Sequence, residues 1–170
     1  MNNTMRTIRI EKVTLNIGAG KDATKLEKGM KILKAITGID PVKTVTQKRL
    51  QAWGLRPGLP IGCKITVRKK GASDLLKRLL EAREFQIKNS QFDNRGNLAF
   101  GIPEYIDIPG IKYDPQIGIS GLEVCVTLER PGFRIKRRRS KPSSVGKRQT
   151  ITKAEAIDFM EHHFNVKVGE

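Results

Sequence analysis

Apolar and polar residues alternate along three stretches of the chain, a pattern typical of β-strands that bury only one face. These stretches are Val13–Ile17, Ile61–Arg68 and Gly121–Glu129. Just before the first stretch, at Glu11–Lys12, the alternation changes phase, which predicts a β-bulge or a break in the strand. The sequence therefore predicts strands of one sheet that has a single apolar face.

Three shorter segments predict further strands. Val42–Thr46 is rich in β-branched residues but polar, whereas Leu98–Ile102 and Tyr105–Ile108 are brief apolar runs. The two apolar runs lie inside residues 88–118, which are rich in Asn, Gly, Pro and Asp. Because these residues favour turns, we expect that region to be loop with one or two short strands.

Helical periodicity occurs in three places, each marked by residues that cap helix N-termini. The capping signals are Thr24 with Glu27, then Ser73, then Thr152 with Glu155. Gly38 is placed to end the first helix. The apolar stripes are Leu26, Met30, Leu33 and Ile36 in the first helix, Leu75, Leu76, Leu79 and Leu80 in the second, and Ile157, Met160 and Phe164 in the third. One apolar stripe on each helix indicates packing against one neighbouring layer.

Strands with one apolar face and helices with one apolar stripe pack as two layers. We therefore predict an α+β fold with an antiparallel-rich sheet, helices packed on one face, a long basic inter-strand loop and a basic C-terminal arm. We expect residues 1–170 to form a single domain. The loop at about 46–58 would project from it, and the basic extension would cover about 130–148.

Positive charge is concentrated in two segments. The formal net charge is +16. Residues 41–70 hold eight Lys or Arg and no acid, and residues 130–148 hold nine and no acid, while the rest of the chain has 16 basic residues against 17 acidic ones. Such concentration is tolerated where a partner neutralises it, and nucleic acid is the commonest partner of this kind.

An anionic membrane is the rival partner for a basic protein. It would favour an amphipathic helix with a basic face, and neither basic segment has that pattern. No apolar run approaches the ~18 residues of a membrane span, and the first residues lack a signal-like apolar region. We therefore expect no membrane partner. Cys63 and Cys125 have no metal-type spacing, so we expect reduced thiols in a cytoplasmic protein.

Polar residues of two predicted strands share the face opposite the apolar one. Thr14 and Asn16 come from the first strand, and Lys64, Thr66 and Arg68 come from the second. With helices on the other face, these side chains would form a polar, basic floor without bulky aliphatic groups. Such a floor suits an RNA backbone.

The predicted basic loop carries the only tryptophan of the chain, Trp53. Its neighbours are mostly turn formers and basic residues, which favours exposure over a place in the core. An exposed indole can stack on a base or a ribose. The basic residues around it are Lys48, Arg49 and Arg56.

The second basic segment, Arg130–Arg148, has little apolar pattern. A solvated tail is one interpretation, but its Pro and Gly residues indicate a shaped segment, and we interpret it as an RNA-threading arm that becomes ordered on binding.

Two other hypotheses remain open at this level. Gly18–Ala23 satisfies the G-x-G-x-x-A dinucleotide pattern, with Asp40 at about the expected ~20-residue spacing, so a small nucleotide-binding enzyme is possible. Against it, the next strand, Val42–Thr46, is polar where a central parallel strand would be apolar. His162 and His163 have no third ligand nearby, so we expect them to be surface residues and not a metal site. The sequence shows no catalytic constellation, so we expect no catalytic residues and no cofactor. A free-standing basic RNA-binding regulator is the other alternative.

Four ordered blocks of this sequence resemble the family of large-subunit ribosomal protein five. They are IEKVTLNIGAG (10–20), PGLPIGCKITVR (57–68), FDNRGN…FGIPEYIDIPGIKYD (92–114) and LERPGFRIKRRR (128–139). The last block is similar to the archaeal and eukaryotic branch, and we expect an archaeal member. Because the first predicted strand lies near residue 1, we expect no counterpart of the extra N-terminal helix of bacterial forms. Ile39 stands where the bacterial forms have a Gln.

The resemblance implies a structural role on the cytoplasmic ribosome. Family members bind 5S rRNA in the central protuberance, contact large-subunit rRNA and neighbouring proteins there, and reach peptidyl-site tRNA through the loop; they use no small-molecule substrate. We assign 5S rRNA binding to Thr14, Asn16, Lys43, Thr44, Lys64, Thr66 and Arg68. We assign the tRNA-contacting loop to Lys48, Arg49, Gln51, Trp53 and Arg56. We assign the large-subunit rRNA arm to Arg134, Lys136, Arg137, Arg138, Arg139, Lys141, Lys147 and Arg148.

Overall fold

A computed structural model describes residues 3–169. The helices of more than one turn are α1 (Ala23–Thr37), α2 (Lys69–Glu81) and α3 (Lys153–Phe164). The strands are β1 (Arg9–Gly18), β2 (Val42–Val45), β3 (Pro60–Arg68), β4 (Gln86–Lys88), β5 (Leu98–Ile102), β6 (Leu122–Glu129) and β7 (Lys167–Gly169).

Five of these strands form one antiparallel sheet in the order β2-β3-β1-β6-β5. Val13, Leu15 and Ile17 of β1 are buried on one face, together with the alternate apolar residues of β3 and β6. α1 and α2 contact β1 and β3 on that face, and α3 adds Met160 and Phe164 to the same apolar core. The predicted α+β fold with helices on one face is confirmed.

The phase change in β1 is a β-bulge, as predicted. The pairing of β1 with β6 shifts register between Ile10 and Lys12, which leaves Glu11 as the extra residue. A bulge brings two successive residues opposite one partner residue, so it re-aims a side chain. Here the re-aimed carboxylate of Glu11 is buried.

Two predicted helix starts are wrong. α1 begins at Ala23 with Asp22 as its N-cap residue, so Thr24 lies within the first turn. α2 begins at Lys69, directly after β3, and the chain changes direction there through a positive φ of 60° at Lys69 instead of a loop ending at Ser73. The Thr152–Glu155 capping box of α3 is confirmed, as is the left-handed end of α1 at Gly38.

Of the one or two short strands expected in residues 88–118, Leu98–Ile102 forms β5, whereas Tyr105–Asp107 is a 3-10 helix. Tyr105 is buried, and its hydroxyl accepts a hydrogen bond from the amide of Asp114 at 3.2 Å. The short parallel pair β4–β7, whose strands have three residues each, was not predicted at all. Strands of that length carry too few residues to show an alternation.

Candidate nucleic-acid interface

The sheet face that the helices leave open is organised in cross-strand rows. Residues directly opposite each other on antiparallel strands point to the same face. One row runs Val42, Lys64, Asn16, Glu123, Gly101; the next runs Thr66, Thr14, Cys125, Ala99; the third runs Arg68, Lys12, Thr127. The five polar residues predicted to share the open face therefore lie together on β1 and β3.

Side-chain hydrogen bonds connect neighbouring strands across this face. The hydroxyls of Thr14 and Thr66 lie 3.5 Å apart, and the amide nitrogen of Asn16 donates to Glu123 Oε2 at 3.3 Å. Lys64 is exposed beside Asn16. The centre of the face thus offers hydroxyl and amide groups with a cation at their side.

The edge strand β2 divides the remaining predicted 5S contacts. Thr44 lies opposite Gly62 and belongs to the open face. Lys43 lies opposite Cys63, whose side chain is fully buried on the helix side of the sheet. Register therefore directs Lys43 away from the open face, and the sheet does not bring it to the other predicted contacts.

The basic loop between β2 and β3 has an ordered base and a solvent-exposed tip. The amide of Gly58 donates to the carbonyl of Thr46 at 2.9 Å, and Leu55 is buried beneath the tip. Gln51–Trp53 forms a 3-10 turn, and the Trp53 side chain is 69% exposed, as predicted. The basic residues Lys48, Arg49 and Arg56 are exposed around it.

The basic arm, residues 130–148, is held at both ends. At its start, buried Arg130 pairs with Glu155 at 2.7 Å. Just beyond its end, the Gln149 side chain donates to the carbonyls of Met5 (2.6 Å) and Pro131 (3.1 Å). That the arm orders only on RNA stays a prediction.

Most basic residues of the arm are free to meet a polyanion. Within residues 3–169, the following are exposed and form no ion pair: Arg134, Lys136, Arg138, Arg139, Lys141, Lys147 and Arg148. Cations without acidic partners are the groups that neutralise phosphates with counterion release.

Comparison with known proteins gives matches over nearly the whole chain. The family profile described as Ribosomal protein L5 matches residues 3–56, and the profile for the C-terminus of the same ribosomal family matches residues 60–159. The chain is 53% identical to the large ribosomal subunit protein uL5 of Nanoarchaeum equitans, over 99% of each chain. It is 45% identical to the protein of that name from Sulfolobus acidocaldarius, over 99% of this chain and 94% of the relative. The chain belongs to the ribosomal protein L5 family.

As an L5 family member of the archaeal branch, the protein is a cytoplasmic, ribosome-associated protein and not an enzyme. The nucleotide-binding hypothesis for Gly18–Ala23 is wrong. A dinucleotide site needs a parallel βαβ unit, whereas β1 has antiparallel neighbours on both sides. The amides of Ala19 and Gly20 also donate to the carbonyl of Ile61, at 2.9 and 3.0 Å, so they do not cradle a phosphate.

His162 and His163 are exposed at the end of α3, as predicted. Cys63 and Cys125 are free thiols. Across residues 3–169, no three His, Cys, Asp or Glu side chains are grouped to hold a metal ion. None of the helices in that range is long and apolar enough to cross a membrane.

A buried acid, Glu11, joins the open face of this L5 protein to its arm. Its carboxylate accepts hydrogen bonds from Arg68 Nη1 at 2.7 Å and Arg137 Nη1 at 2.6 Å, and Arg137 Nη2 also pairs with it. Arg137 further lies 3.9 Å from Glu129. Two of the predicted RNA contacts, Arg68 and Arg137, thus use part of their hydrogen-bonding capacity within the protein.

The ionisation of Glu11 follows from these contacts. Burial opposes the charged form of its carboxylate, but the hydrogen bonds from Arg137 and Arg68 outweigh burial and hold the pKa of Glu11 below its ordinary value of 4.5. Glu11 is therefore an anion at neutral pH. Two cations attached to one buried anion fix the arm at the end of the sheet where the bulge lies.

Sequence reasoning missed the acids of the interface. Glu123 is exposed on the open face, between Asn16 and Gly101. Alternation along Gly121–Glu129 did contain this signal, because burying Leu122 and Val124 places Glu123 on the opposite face. Burial and then the neighbouring Glu123 raise the pKa of the Cys125 thiol, which stays neutral.

Proposed function

We propose that the protein is a structural constituent of the large ribosomal subunit that binds 5S rRNA through the open face of its sheet. The arm then contacts large-subunit rRNA beside neighbouring ribosomal proteins of the central protuberance, and the loop reaches peptidyl-site tRNA. The name of the relatives, large ribosomal subunit protein uL5, supports assignment to that subunit. Positioning RNA requires no cofactor.

One observation carries the proposed 5S contact. Thr14, Asn16, Lys64 and Thr66 lie side by side on β1 and β3, on a face that no helix within residues 3–169 covers. Phosphate and ribose oxygens are bound by lysine, hydroxyl and amide groups of this kind.

The arm and the loop support the other two proposed contacts by their unpaired charge. Arg68 and Arg137 can still bind RNA with the donors that Glu11 does not use. A guanidinium has five donors, and these two side chains are about half exposed, at 52% and 48%. The loop adds Trp53 to its cations, and an exposed indole stacks on RNA bases without needing a particular sequence.

A salt titration of 5S rRNA binding tests the first contact. We expect affinity in the nanomolar range that survives an excess of an unrelated structured RNA of similar length, with a salt slope that indicates several phosphate contacts. Lys64→Ala should reduce that slope by about one. Lys28→Ala, which removes an exposed lysine from α1 on the other side of the sheet, serves as the control. Equal affinity for both RNAs would leave only a generic basic RNA-binding protein.

The loop should act separately from the sheet face. Replacing Lys48, Arg49 and Arg56 together with glutamine is expected to weaken peptidyl-site tRNA binding by ribosomes carrying the variant about tenfold or more, because three exposed cations are lost. The affinity of the free variant for 5S rRNA should stay almost unchanged. A drop in 5S affinity of more than about tenfold, or ~1.4 kcal/mol, would show that the two surfaces are not separate.

A further inference from the structure

The open face is chemically divided along the strand order. On the β3 and β1 side it presents Lys64 and Arg68 with hydroxyl and amide groups. On the β6 and β5 side, the row through Asn16 continues with the exposed carboxylate of Glu123 and then Gly101. A phosphate is attracted to the first half and repelled by the second.

The half around Glu123 has room above the sheet. A Cβ added at Gly101 would meet no atom within 4 Å, and the adjacent row has the small residues Cys125 and Ala99. No described cation neutralises Glu123, since residues 3–169 contain no ion pair to it. Its hydrogen bond with the Asn16 amide uses Oε2 and leaves Oε1 available as an acceptor.

We infer that Glu123 is a specificity-determining residue for RNA, which accepts a hydrogen bond from a base amino or imino group lying over β6 and β5. The inference rests on the proposed 5S function and deepens it. Carboxylates read donor groups on base edges, whereas phosphates offer them only acceptors. The RNA backbone therefore follows β3 and β1, and a base edge faces Glu123.

A carboxylate in this position weakens the binding of some RNAs and strengthens the binding of others. An RNA whose backbone crosses β6 meets an uncompensated negative charge, which disfavours binding. An RNA that presents a base donor there gains a charge-assisted hydrogen bond. Specificity of this kind comes from the difference between the two affinities.

Glu123→Gln tests the inference, because glutamine keeps the size of the side chain and an acceptor for Asn16 but removes the charge. We expect the affinity for 5S rRNA to fall about fivefold and the affinity for an unrelated structured RNA to rise about threefold, so that their ratio falls more than about tenfold. The salt slope for 5S rRNA should not become less steep, since no phosphate contact is lost. Glu27→Gln, at an exposed position of α1, is the matched control.

The possible outcomes separate the inference from the proposed function. Suppose that the wild type prefers 5S rRNA, and that Glu123→Gln either strengthens the binding of both RNAs equally or leaves both affinities unchanged. Glu123 is then not a specificity-determining residue, and the proposed function stands. If the wild-type protein itself shows no preference for 5S rRNA, the proposed function fails and the inference fails with it.

Discussion

Replacing Glu11 with alanine is expected to lower the free energy of unfolding by about 3 kcal/mol. The side chain is 3% exposed, and it accepts charge-assisted hydrogen bonds from two guanidiniums. Its removal leaves Arg68 and Arg137 as neighbouring like charges and opens a small cavity under the arm. Urea unfolding at neutral pH measures the loss, and less than about 1 kcal/mol would contradict this account.

Asp40→Ala is the matched control for this prediction. It also removes an acid from a short ion pair, Lys34–Asp40 at 2.7 Å, but both side chains are largely exposed, at 61% and 80%. Exposed pairs contribute little, so the loss should stay within about 0.5 kcal/mol. The contrast isolates burial as the cause.

The Glu11 contribution should also depend on pH in a defined direction. Its pKa is lower in the folded protein than in the unfolded chain, so the stabilisation is present above the ordinary value of 4.5 and disappears as the pH falls through the folded-state pKa. Wild type should therefore lose more stability than Glu11→Ala on acidification below 4.5. Parallel losses in the two proteins would contradict the ion-pair explanation.

Gly96→Ala is expected to cost about 3 kcal/mol, for two reasons that add. Gly96 has a φ of +74°, a conformation that alanine adopts only with strain. A Cβ there would also lie 2.6 Å from Cγ2 and 3.1 Å from Cβ of Ile151, a side chain that is 1% exposed and has no room to move.

Gly118→Ala separates the two reasons, because Gly118 has the same φ of +74° and nothing within 4 Å of an added Cβ. Only the strain remains, which is about 1 kcal/mol. Thermal or urea unfolding of both variants gives the comparison. Equal losses would mean that Ile151 yields at no cost.

The sheet and its open face could be predicted because strand alternation is a local property. The phase change at Glu11 indicated the bulge from neighbouring residues alone, and the scarcity of apolar neighbours indicated the exposure of Trp53. Alternation also shows that Lys43 and Thr44, which are successive strand residues, cannot both lie on the open face. Which of the two lies there depends on the register with β3 and could not be predicted from the sequence around them.

Contacts between residues far apart along the chain could not be predicted from the sequence. Glu11 and Arg137 are 126 positions apart, and nothing near either residue indicates the other. The start of α2 was missed for a different reason: β3 passes into the helix at Lys69 without the turn residues that normally mark such a boundary. The open face, with Glu123 on it, was therefore predictable from alternation, but the contact that joins Glu11 to the arm was not.

The arm is a loop tethered at both ends and not a free tail. The Arg130–Glu155 pair holds its start, and the contacts of Gln149 hold it just beyond its end. A tethered loop has fewer conformations to lose when it docks, so less entropy opposes binding. Glu11 further fixes the distance between the arm and the sheet face. A subunit that holds the protein through one of these surfaces would present its RNA to the other surface at high effective concentration, so two modest contacts would combine into one long-lived attachment.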